Sequence, residues 1–297
     1  MKAKETFFSI VVPAFNRKDY LEVLISRLKL IKYSNWELIV VDDGSTDNTG
    51  EIFLNSTDDK IKYYRKENAE RGAARNYGAK FASGDYITYL DSDDYLLPDV
   101  FDIANKIISD NPDIPMFHLG FEVRNSTGLL ISNAEILPAN LNDIIKERNV
   151  IACLGMFLKN NVALEYQFSE LRELSGTEDY ELWLRLASDM PLPHYNFTVG
   201  VLVNHEARSM YEVDTAKLVN RINTFIMLAL RNHNVLEFLG NSVNKFLSFR
   251  YSYIALHAAI AKDRKLSIDY LLKSFIKNPQ ILFETRFWII IKKMIYL

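Results

Sequence analysis

The sequence predicts an α/β fold, in which a mostly parallel sheet is flanked by helices and is followed by an all-helical region. Three observations predict it. Short apolar runs rich in β-branched residues, typical of strands buried on both faces, alternate with segments of helical periodicity in the N-terminal part. Two of these runs stop at clusters of aspartate, as expected at the ligand-binding edge of a parallel sheet. Strand signals end after Ser209, and only helical patterns remain.

The composition is that of an ordinary globular protein and limits the function classes. The 297 residues are 48% hydrophobic and carry a formal net charge of -3, so a nucleic-acid-binding surface is not expected. Cys153 is the only cysteine, which excludes a disulfide framework and a cysteine-built zinc site within one chain. No signal-length apolar stretch opens the chain, and no run of about 18 apolar residues predicts a membrane span. We therefore expect a cytoplasmic protein.

Strand and helix signals alternate along the first part of the chain. The predicted strands cover residues 7–13, 37–41, 61–65 and 86–90, and the predicted helices cover residues 19–30, 70–82 and 98–110. The β-α-β order makes consecutive strands parallel, because right-handed crossovers bring each new strand back in the same direction. The carboxyl ends of these strands therefore meet at one edge, and both aspartate clusters are expected there.

The middle of the chain has mixed signals, and the last part is helical. Turn-forming residues separate two short apolar runs, which predicts a hairpin, and a helix and one more strand follow. The predicted ranges are 116–123 and 129–131 for the hairpin, 177–188 for the helix, 198–204 for the strand and 217–297 for three or four further helices.

The segment Asp91-Ser92-Asp93 follows directly after the fourth predicted strand. Two carboxylates one residue apart can project onto the same side of a loop, and such oxygen ligands suit Mg²⁺ or Mn²⁺. A divalent cation held there could bridge two phosphates and neutralise a leaving diphosphate. The alternative is an aspartate-rich turn that only caps a helix, and the spacing alone does not decide between the two.

Asp42 and Asp43 end the second predicted strand and precede a run of turn-forming residues. A carboxylate at this place can accept hydrogen bonds from a ribose hydroxyl or a base N–H. Arg75 lies near the start of a predicted helix, where its fork of donors could meet an anionic group. A capped turn and a solvated helix face are the alternatives.

Glu178 and Asp179 begin another predicted helix, where the helix dipole favours carboxylates. The pair could supply a general base to an acceptor hydroxyl, or it could be ordinary helix-terminal charge. His205 follows the last predicted strand. A lone histidine of this kind is more often a surface or hydrogen-bonded residue than a ligand.

Taken in order, five segments resemble the family 2 glycosyltransferases of the GT-A fold. They are SIVVPAFNR at residues 9–17, VVDDGSTDNT at 40–49, ARNYGAKFASGDYITYLDSDD at 74–94, TEDYELWLRLA at 177–187 and VLVNHEARSM at 201–210. Each segment alone is weak, but five in the family's order and spacing indicate membership. Two segments depart from the pattern: residues 168–174 (FSELREL) replace a Gly-Gly-Phe-Asp-like stretch, and residues 68–71 (NAER) replace a more glycine-rich one.

The resemblance implies a role for each matching residue. The residues that would contact the nucleotide are Pro13, Ala14, Phe15, Asp42, Asp43, Arg75, Asp91 and Ser92. Asp93 would bind a Mn²⁺ or Mg²⁺ ion, with Asp91 at its water shell and His205 near the metal or the diphosphate. Asp179 would be the catalytic base, with Glu178 helping to place the acceptor.

The implied reaction is an inverting, metal-dependent transfer of a sugar from a nucleotide-diphosphate sugar, with UDP as the expected nucleotide. The acceptor would be a glycan or a lipid-linked glycan in the synthesis of cell-surface polysaccharide, capsule or lipopolysaccharide. The GT-A catalytic domain would cover residues 1–210, with a nucleotide-sugar half of about residues 1–115 and an acceptor half of about residues 116–210. Residues 211–297 would form the helical region.

Two alternatives stay open at this point. A sugar-phosphate nucleotidyltransferase would also use carboxylates and a metal at a sheet edge, but the loop after the first strand lacks the glycine-rich basic segment of such enzymes. A non-catalytic GT-A-fold partner subunit is the second, and the intact acidic residues Asp91, Asp93, Glu178 and Asp179 argue against it.

The last twenty residues, 278–297, are mostly apolar and contain Arg286, Lys292 and Lys293. One interpretation is an interfacial helix that contacts anionic lipid at the inner face of the cell membrane. The other is a helix packed on the catalytic domain or in a homodimer interface. The sequence does not decide between them.

Overall fold

The computed structural model describes residues 5–54, 58–205 and 214–295. Within them, nine strands belong to one sheet: β1 Phe8–Ala14, β2 Trp36–Asp42, β3 Ile61–Arg65, β4 Tyr86–Tyr89, β5 Tyr95–Leu96, β6 Met116–Asn125, β7 Leu130–Ser132, β8 Met156–Lys159 and β9 His194–Asn204. Eleven α-helices lie in the same ranges: α1 Lys18–Leu28, α2 Glu70–Ala79, α3 Val100–Asp110, α4 Asn142–Glu147, α5 Asn160–Glu165, α6 Glu178–Asp189, α7 Thr215–Arg231, α8 His233–Leu239, α9 Val243–Ile260, α10 Arg264–Lys277 and α11 Thr285–Ile295.

The sheet is mixed but runs mostly in one direction. Its strand order is β3-β2-β1-β4-β8-β6-β9-β5, with β7 paired to β6. The strands β1 to β4 are parallel, and so are β6 and β9. β8 runs antiparallel to both β4 and β6, so β6 and β9 point the same way as β1 to β4. The carboxyl ends of these six strands therefore share one edge, which confirms the expected α/β architecture.

Helices cover both faces of the parallel part, because successive side chains of a strand point to opposite faces. The face that carries Phe8 packs against α1 and α3, and the rings of Phe8 and Phe101 stack with 4.7 Å between centroids. The opposite face carries Val11 and Val41 and receives α2. A Cβ added at Gly78 of α2 would lie 2.6 Å from Val11 and 2.8 Å from Val41, so glycine permits this close approach.

The predicted elements of the first part agree with the structure to within a few residues, and β3 agrees at both ends. The hairpin of β6 and β7 is confirmed as an antiparallel pair. The last strand begins earlier than predicted, at His194. The prediction of three or four C-terminal helices is wrong, because residues 214–295 contain five α-helices, α7 to α11.

The chain divides into two compact units. The first contains all nine strands of the sheet together with α1, α2, α3 and α5. The second contains α4, α6 and the helices from α7 to α11. The predicted domain boundary near residue 210 lies outside the described residues and stays a prediction. Among the described helices, each is too short or too polar to cross a bilayer.

Candidate active site

The loops after β1 and β2 are bound to each other at the carboxyl edge of the sheet. Asn16 adopts a left-handed conformation with φ of 54°, which asparagine tolerates better than most residues. Its backbone N–H donates to Ser45 Oγ at 2.9 Å, and its Oδ1 accepts from the N–H of Thr46 at 2.8 Å. The two loops are therefore held in place by the chain itself.

The three residues predicted to line a nucleotide base lie at the end of β1. Pro13 and Ala14 are buried, and the carbonyl of Ala14 accepts a hydrogen bond of 2.8 Å from the N–H of Asp43. The Phe15 side chain is 45% exposed at the edge of the sheet. An exposed aromatic ring can stack on a planar ligand, so Phe15 is the member of the three that can offer a side-chain surface.

Asp42 is buried, with 1% of its surface exposed, and both of its oxygens are used within the protein. Oδ1 accepts from the N–H of Ser45 at 2.7 Å, and Oδ2 accepts from the hydroxyl of Tyr63 at 2.5 Å. Burial, and secondly this hydrogen bond, raise the pKa of Tyr63. Asp42 thus fixes the turn after β2, while its predicted contact with a nucleotide stays a prediction.

Asp43 lies at the centre of a small network that the sequence did not reveal. Its Oδ1 accepts from Lys66 Nζ at 2.8 Å and from the N–H of Ala69 at 3.0 Å, and its Oδ2 accepts from Asn68 Nδ2 at 3.2 Å. Lys66 and Asn68 follow β3, so a third strand end contributes to this edge. Sequence spacing could not predict these two partners, since Lys66 and Asn68 lie 23 and 25 residues from Asp43 along the chain.

The two segments that depart from the family pattern contact each other. Arg172 Nη2 donates to the carbonyl of Asn68 at 2.6 Å, and Arg172 Nη1 donates to Glu70 Oε1 at 3.2 Å. Nearby, Asn76 Nδ2 donates to the carbonyl of Phe168 at 2.9 Å. Hydrogen bonds therefore hold residues 168–172 against α2 and the segment before it. Arg172 also contacts the same Asn68 whose side chain donates to Asp43.

Three carboxylates gather after β4. Asp91, Asp93 and Asp94 each offer one oxygen, and these oxygens all lie within 4.8 Å of one another. Ser92, between them, is buried. Asp94 is a member that the sequence analysis missed, although it belongs to the same acidic run. Its Oδ1 accepts from the N–H of Val203 in β9 at 2.9 Å, which links the cluster to a further strand end.

Cationic and imidazole groups balance this acidic cluster. The buried guanidinium of Arg75 donates to Asp91 Oδ1 at 2.6 Å, and its Cζ lies 5.1 Å from the ring centroid of Phe168. His205 Nε2 lies 2.8 Å from Asp93 Oδ2. The structure therefore brings Arg75, Asp91, Asp93 and His205 together, while their predicted binding of a metal and a diphosphate stays a prediction.

The donor set fits a hard divalent cation, since clustered carboxylate oxygens suit Mg²⁺ and Mn²⁺. The oxygens would come from Asp91, Asp93 and Asp94. His205 was predicted as a further ligand. It binds Asp93 through Nε2, and its ring lies beside that of Tyr20 with 5.5 Å between centroids. Its contact with a metal stays a prediction.

Glu178 and Asp179 belong to the second unit, at the start of α6. Glu178 is buried, and its Oε2 accepts from the N–H of Gly176 at 2.6 Å. Asp179 is half-buried, with Oδ1 accepting from the N–H of Tyr180 at 2.6 Å and Oδ2 lying 3.4 Å from Asn149 Nδ2. Of the pair, Asp179 is therefore the more accessible carboxylate.

A comparison with known proteins decides the family. The family model described as Glycosyl transferase family 2 matches residues 9–160, which is more than half of the chain. The chain belongs to this family. The matched residues of the glycosyltransferase include the loops after β1, β2, β3 and β4. The aspartate clusters described above therefore lie within the region that the family model matches.

Two curated relatives show how far the similarity extends. The glycosyltransferase is 31% identical over 182 residues to the UDP-Glc:alpha-D-GlcNAc-diphosphoundecaprenol beta-1,3-glucosyltransferase WfgD of Escherichia coli, covering 61% of this chain and 70% of WfgD. It is 26% identical over 248 residues to chondroitin synthase of Pasteurella multocida, covering 82% of this chain but only 24% of that protein.

Solved structures support the GT-A fold of the glycosyltransferase. S. aureus TarS 1-349 in complex with UDP-GlcNAc has a TM-score of 0.63 and 17% identity, with 92% of each chain covered. The mannosyltransferase PcManGT from Pyrobaculum calidifontis, in complex with GDP-Man and Mn2+, has a TM-score of 0.55 and 16% identity, covering 99% of this chain and 87% of that chain. At these identities the likeness concerns the fold.

Proposed function

We propose that this family 2 glycosyltransferase moves a sugar from a nucleoside-diphosphate sugar to an acceptor hydroxyl with inversion at the anomeric carbon. One observation carries the proposal: Asp91, Asp93 and Asp94 cluster at the carboxyl edge of the sheet, next to Arg75 and His205. The family membership favours this reaction over the nucleotidyltransferase alternative, and the non-catalytic alternative is an outcome of the test below.

The donor side is proposed from the edge of the sheet. Phe15 offers an exposed ring to a base, and the buried network around Asp43 lies beside it through the Ala14 carbonyl. UDP is the proposed nucleotide because WfgD is named for UDP-Glc and TarS was solved with UDP-GlcNAc. GDP is the alternative to test, since PcManGT was solved with GDP-Man.

The proposed chemistry divides the work between two groups of residues. A Mn²⁺ or Mg²⁺ ion held by Asp91, Asp93 and Asp94 would neutralise the departing diphosphate. Asp179 would take the proton of the acceptor hydroxyl as its oxygen forms the bond to the anomeric carbon and the bond to the diphosphate breaks. Glu178, whose Oε2 accepts from the N–H of Gly176, would help to place the acceptor.

The acceptor is proposed to be a glycan or a lipid-linked glycan of a surface polysaccharide, because WfgD is named for a diphosphoundecaprenol acceptor. The exposed face of α11 supports peripheral membrane contact. Trp288 is 59% exposed there, and Ile289, Lys292 and Lys293 are exposed beside it. Aromatic and basic side chains on one helix face are typical of interfacial helices. The proposed location is the cytoplasm, at the inner face of the cell membrane.

A homodimer through α11 is the competing proposal. In a symmetric interface Lys292 and Lys293 would meet the same face of the second copy, and residues 285–295 contain no acid to pair with them. Sedimentation with phosphatidylglycerol vesicles, but not with phosphatidylcholine vesicles, would support membrane contact. A concentration-dependent dimer that loses its stability in Trp288→Ser would support the dimer instead.

Calorimetric titration with UDP and with GDP, each with and without Mn²⁺, tests the proposed function. We expect metal-dependent binding of one nucleotide, lost in Asp93→Asn and retained in the control Asp110→Asn, whose side chain is exposed in α3. Binding without turnover on any acceptor would favour the non-catalytic subunit. Metal-independent binding that Asp93→Asn leaves unchanged would contradict the proposed metal site.

A further inference from the structure

The proposed reaction does not use four half-buried polar side chains of the second unit: Arg221 of α7, Tyr253 and His257 of α9, and Arg286 of α11. They form a group, because the charges of Arg221 and Arg286 both act on Tyr253 and on His257. The Arg221 guanidinium donates to the carbonyl of Ser175 at 3.0 Å, three residues before Glu178. The rings of Tyr253 and His257 lie 4.4 Å apart, one helical turn from each other. The group is therefore anchored next to the start of α6.

Two carboxylates act on this group, Asp179 on Tyr253 and Glu284 on Arg286, but both guanidinium groups donate their hydrogen bonds to neutral oxygens. Arg286 donates to Ser252 Oγ and to the carbonyl of Phe249, both at 3.3 Å, and Arg221 donates to a carbonyl. In the part of the chain that the structure describes, neither arginine forms an ion pair with an acid, and Arg221 Nε is buried without a hydrogen-bond partner. The hydrogen-bond acceptors of both guanidinium groups are thus neutral oxygens.

A third arginine adds to the local charge. Arg250 is buried and lies over the rings of Tyr180 and Phe246, 4.7 Å and 4.6 Å from their centroids. Burial, and then the charge of Arg250, lower the pKa of Arg286. Burial, and then Arg221 and Arg286, lower the pKa of His257. Like charges gathered in a partly buried place destabilise the folded chain unless an anion joins them.

We propose that Arg221 and Arg286, together with Tyr253 and His257, form a binding site for a phosphate group of the acceptor. Guanidinium forks match phosphate oxygens in geometry, and several arginines suit a multiply charged phosphate or diphosphate better than a single carboxylate. The site lies beside the segment that leads to Asp179. This inference rests on the proposed function, because it assumes that Asp179 acts on the acceptor.

Two phosphate sources share this chemistry, and the experiment separates them. Inorganic pyrophosphate represents a free diphosphate, and farnesyl diphosphate represents a lipid-linked one. Each is titrated into the full chain with EDTA and without any sugar donor, and binding is followed by calorimetry and by the thermal unfolding midpoint. The variants are Arg221→Gln, Arg286→Gln and their double. Lys29→Gln/Lys32→Gln is the charge-matched control, since both lysines are exposed in the first unit.

We expect each arginine variant to weaken farnesyl diphosphate binding about 10- to 100-fold, the usual effect of losing a hydrogen bond to a charged group. Arg221→Lys and Arg286→Lys keep the charge and should bind more tightly than the glutamine variants. Tighter binding of farnesyl diphosphate than of pyrophosphate would assign the site to a lipid-linked phosphate, and equal binding to a free one.

Three results would overturn the site. They are unchanged binding in the double variant, an equal loss of binding in the lysine control, and a loss of binding in Asp93→Asn instead, which would put the anion on the donor side. Failure of the proposed transfer reaction gives a different pattern. In that case metal-dependent nucleotide binding is absent, whereas the phosphate titration, which contains neither metal nor donor, still depends on Arg221 and Arg286.

Discussion

A buried pair of histidines makes the stability of the first unit depend on pH. His118 of β6 and His194 of β9 are cross-strand neighbours, and their Nδ1 atoms lie 2.9 Å apart. Asn196 Nδ2 donates to the carbonyl of Leu137, so its Oδ1 is the acceptor that lies 3.0 Å from His194 Nε2. His194 therefore carries its proton on Nε2, and its Nδ1 accepts from the Nδ1–H of His118.

Burial disfavours the charged form of both imidazoles in the folded chain. Burial, and then the neighbouring His194, lower the pKa of His118 well below 6.5, and burial lowers the pKa of His194. The unfolded chain takes up these protons near pH 6.5, whereas the folded chain takes them up only at lower pH. Stability is therefore fully present above pH 6.5 and falls as the pH drops from there toward the folded pKa. At pH 5.5 His118 alone should cost about 1.4 kcal/mol relative to pH 7.5.

Urea unfolding at pH 7.5 and at pH 5.5, followed by circular dichroism, measures this loss. His118→Leu should be less stable at pH 7.5, by about 1–3 kcal/mol, because it leaves His194 Nδ1 without its donor. Its further loss on going to pH 5.5 should nevertheless be smaller than that of the natural chain by about 1.4 kcal/mol. The control His233→Gln removes an exposed histidine and should keep the full loss. An equal pH-dependent loss in His118→Leu would refute the reasoning.

Three further predictions concern catalysis, packing and donor binding. Asp179→Asn should lower kcat about 10²- to 10⁴-fold with nucleotide affinity unchanged in calorimetry, and near-normal turnover would remove its role as base. Gly155→Ala should lower the free energy of unfolding about 1–3 kcal/mol more than Gly128→Ala. Both glycines have φ of 86°, but an added Cβ meets a carbonyl oxygen at 2.3 Å only at Gly155, so equal losses in thermal unfolding would show that φ alone matters. Arg172→Ala should weaken nucleotide binding about two- to tenfold through Asn68, with kcat unchanged. A fall in kcat alone would place Arg172 nearer the reaction.

The strands that were predicted well are those with a clear apolar, β-branched or aromatic composition. Residues 61–65 agree with β3 at both ends, and the apolar runs of β1 and β2 are read directly from the sequence. The strands that were missed are short and depend on their partners. Tyr95–Leu96 becomes β5 only because it pairs with β9, and Met156–Lys159 becomes β8 only between β4 and β6. Neither has a period long enough to recognise.

The site, like the sheet, could be predicted from local sequence only in part. The aspartates after β2 and β4 could be placed at one edge from strand order, and the structure confirms that placement. The partners of Asp43 could not be predicted, because Lys66 and Asn68 reach it from the loop after another strand. The number of C-terminal helices was underestimated because α8 is only seven residues long and its start depends on Asn232, whose side chain accepts from the N–H of Val235.

The left-handed Asn16 has a consequence for how the proposed donor side can differ among related chains. The φ of 54° at Asn16 and its hydrogen bonds to Ser45 and Thr46 order both loops in the absence of a ligand. The conformational entropy of these loops is therefore lost on folding and not on ligand binding. Glycine could adopt the same backbone but would lose the side-chain bond to Thr46. We therefore expect few substitutions of Asn16 to be tolerated, whereas the exposed Phe15 can be replaced without disturbing the two loops. A change of specificity toward another base or sugar can therefore use position 15 while Asn16 stays constant.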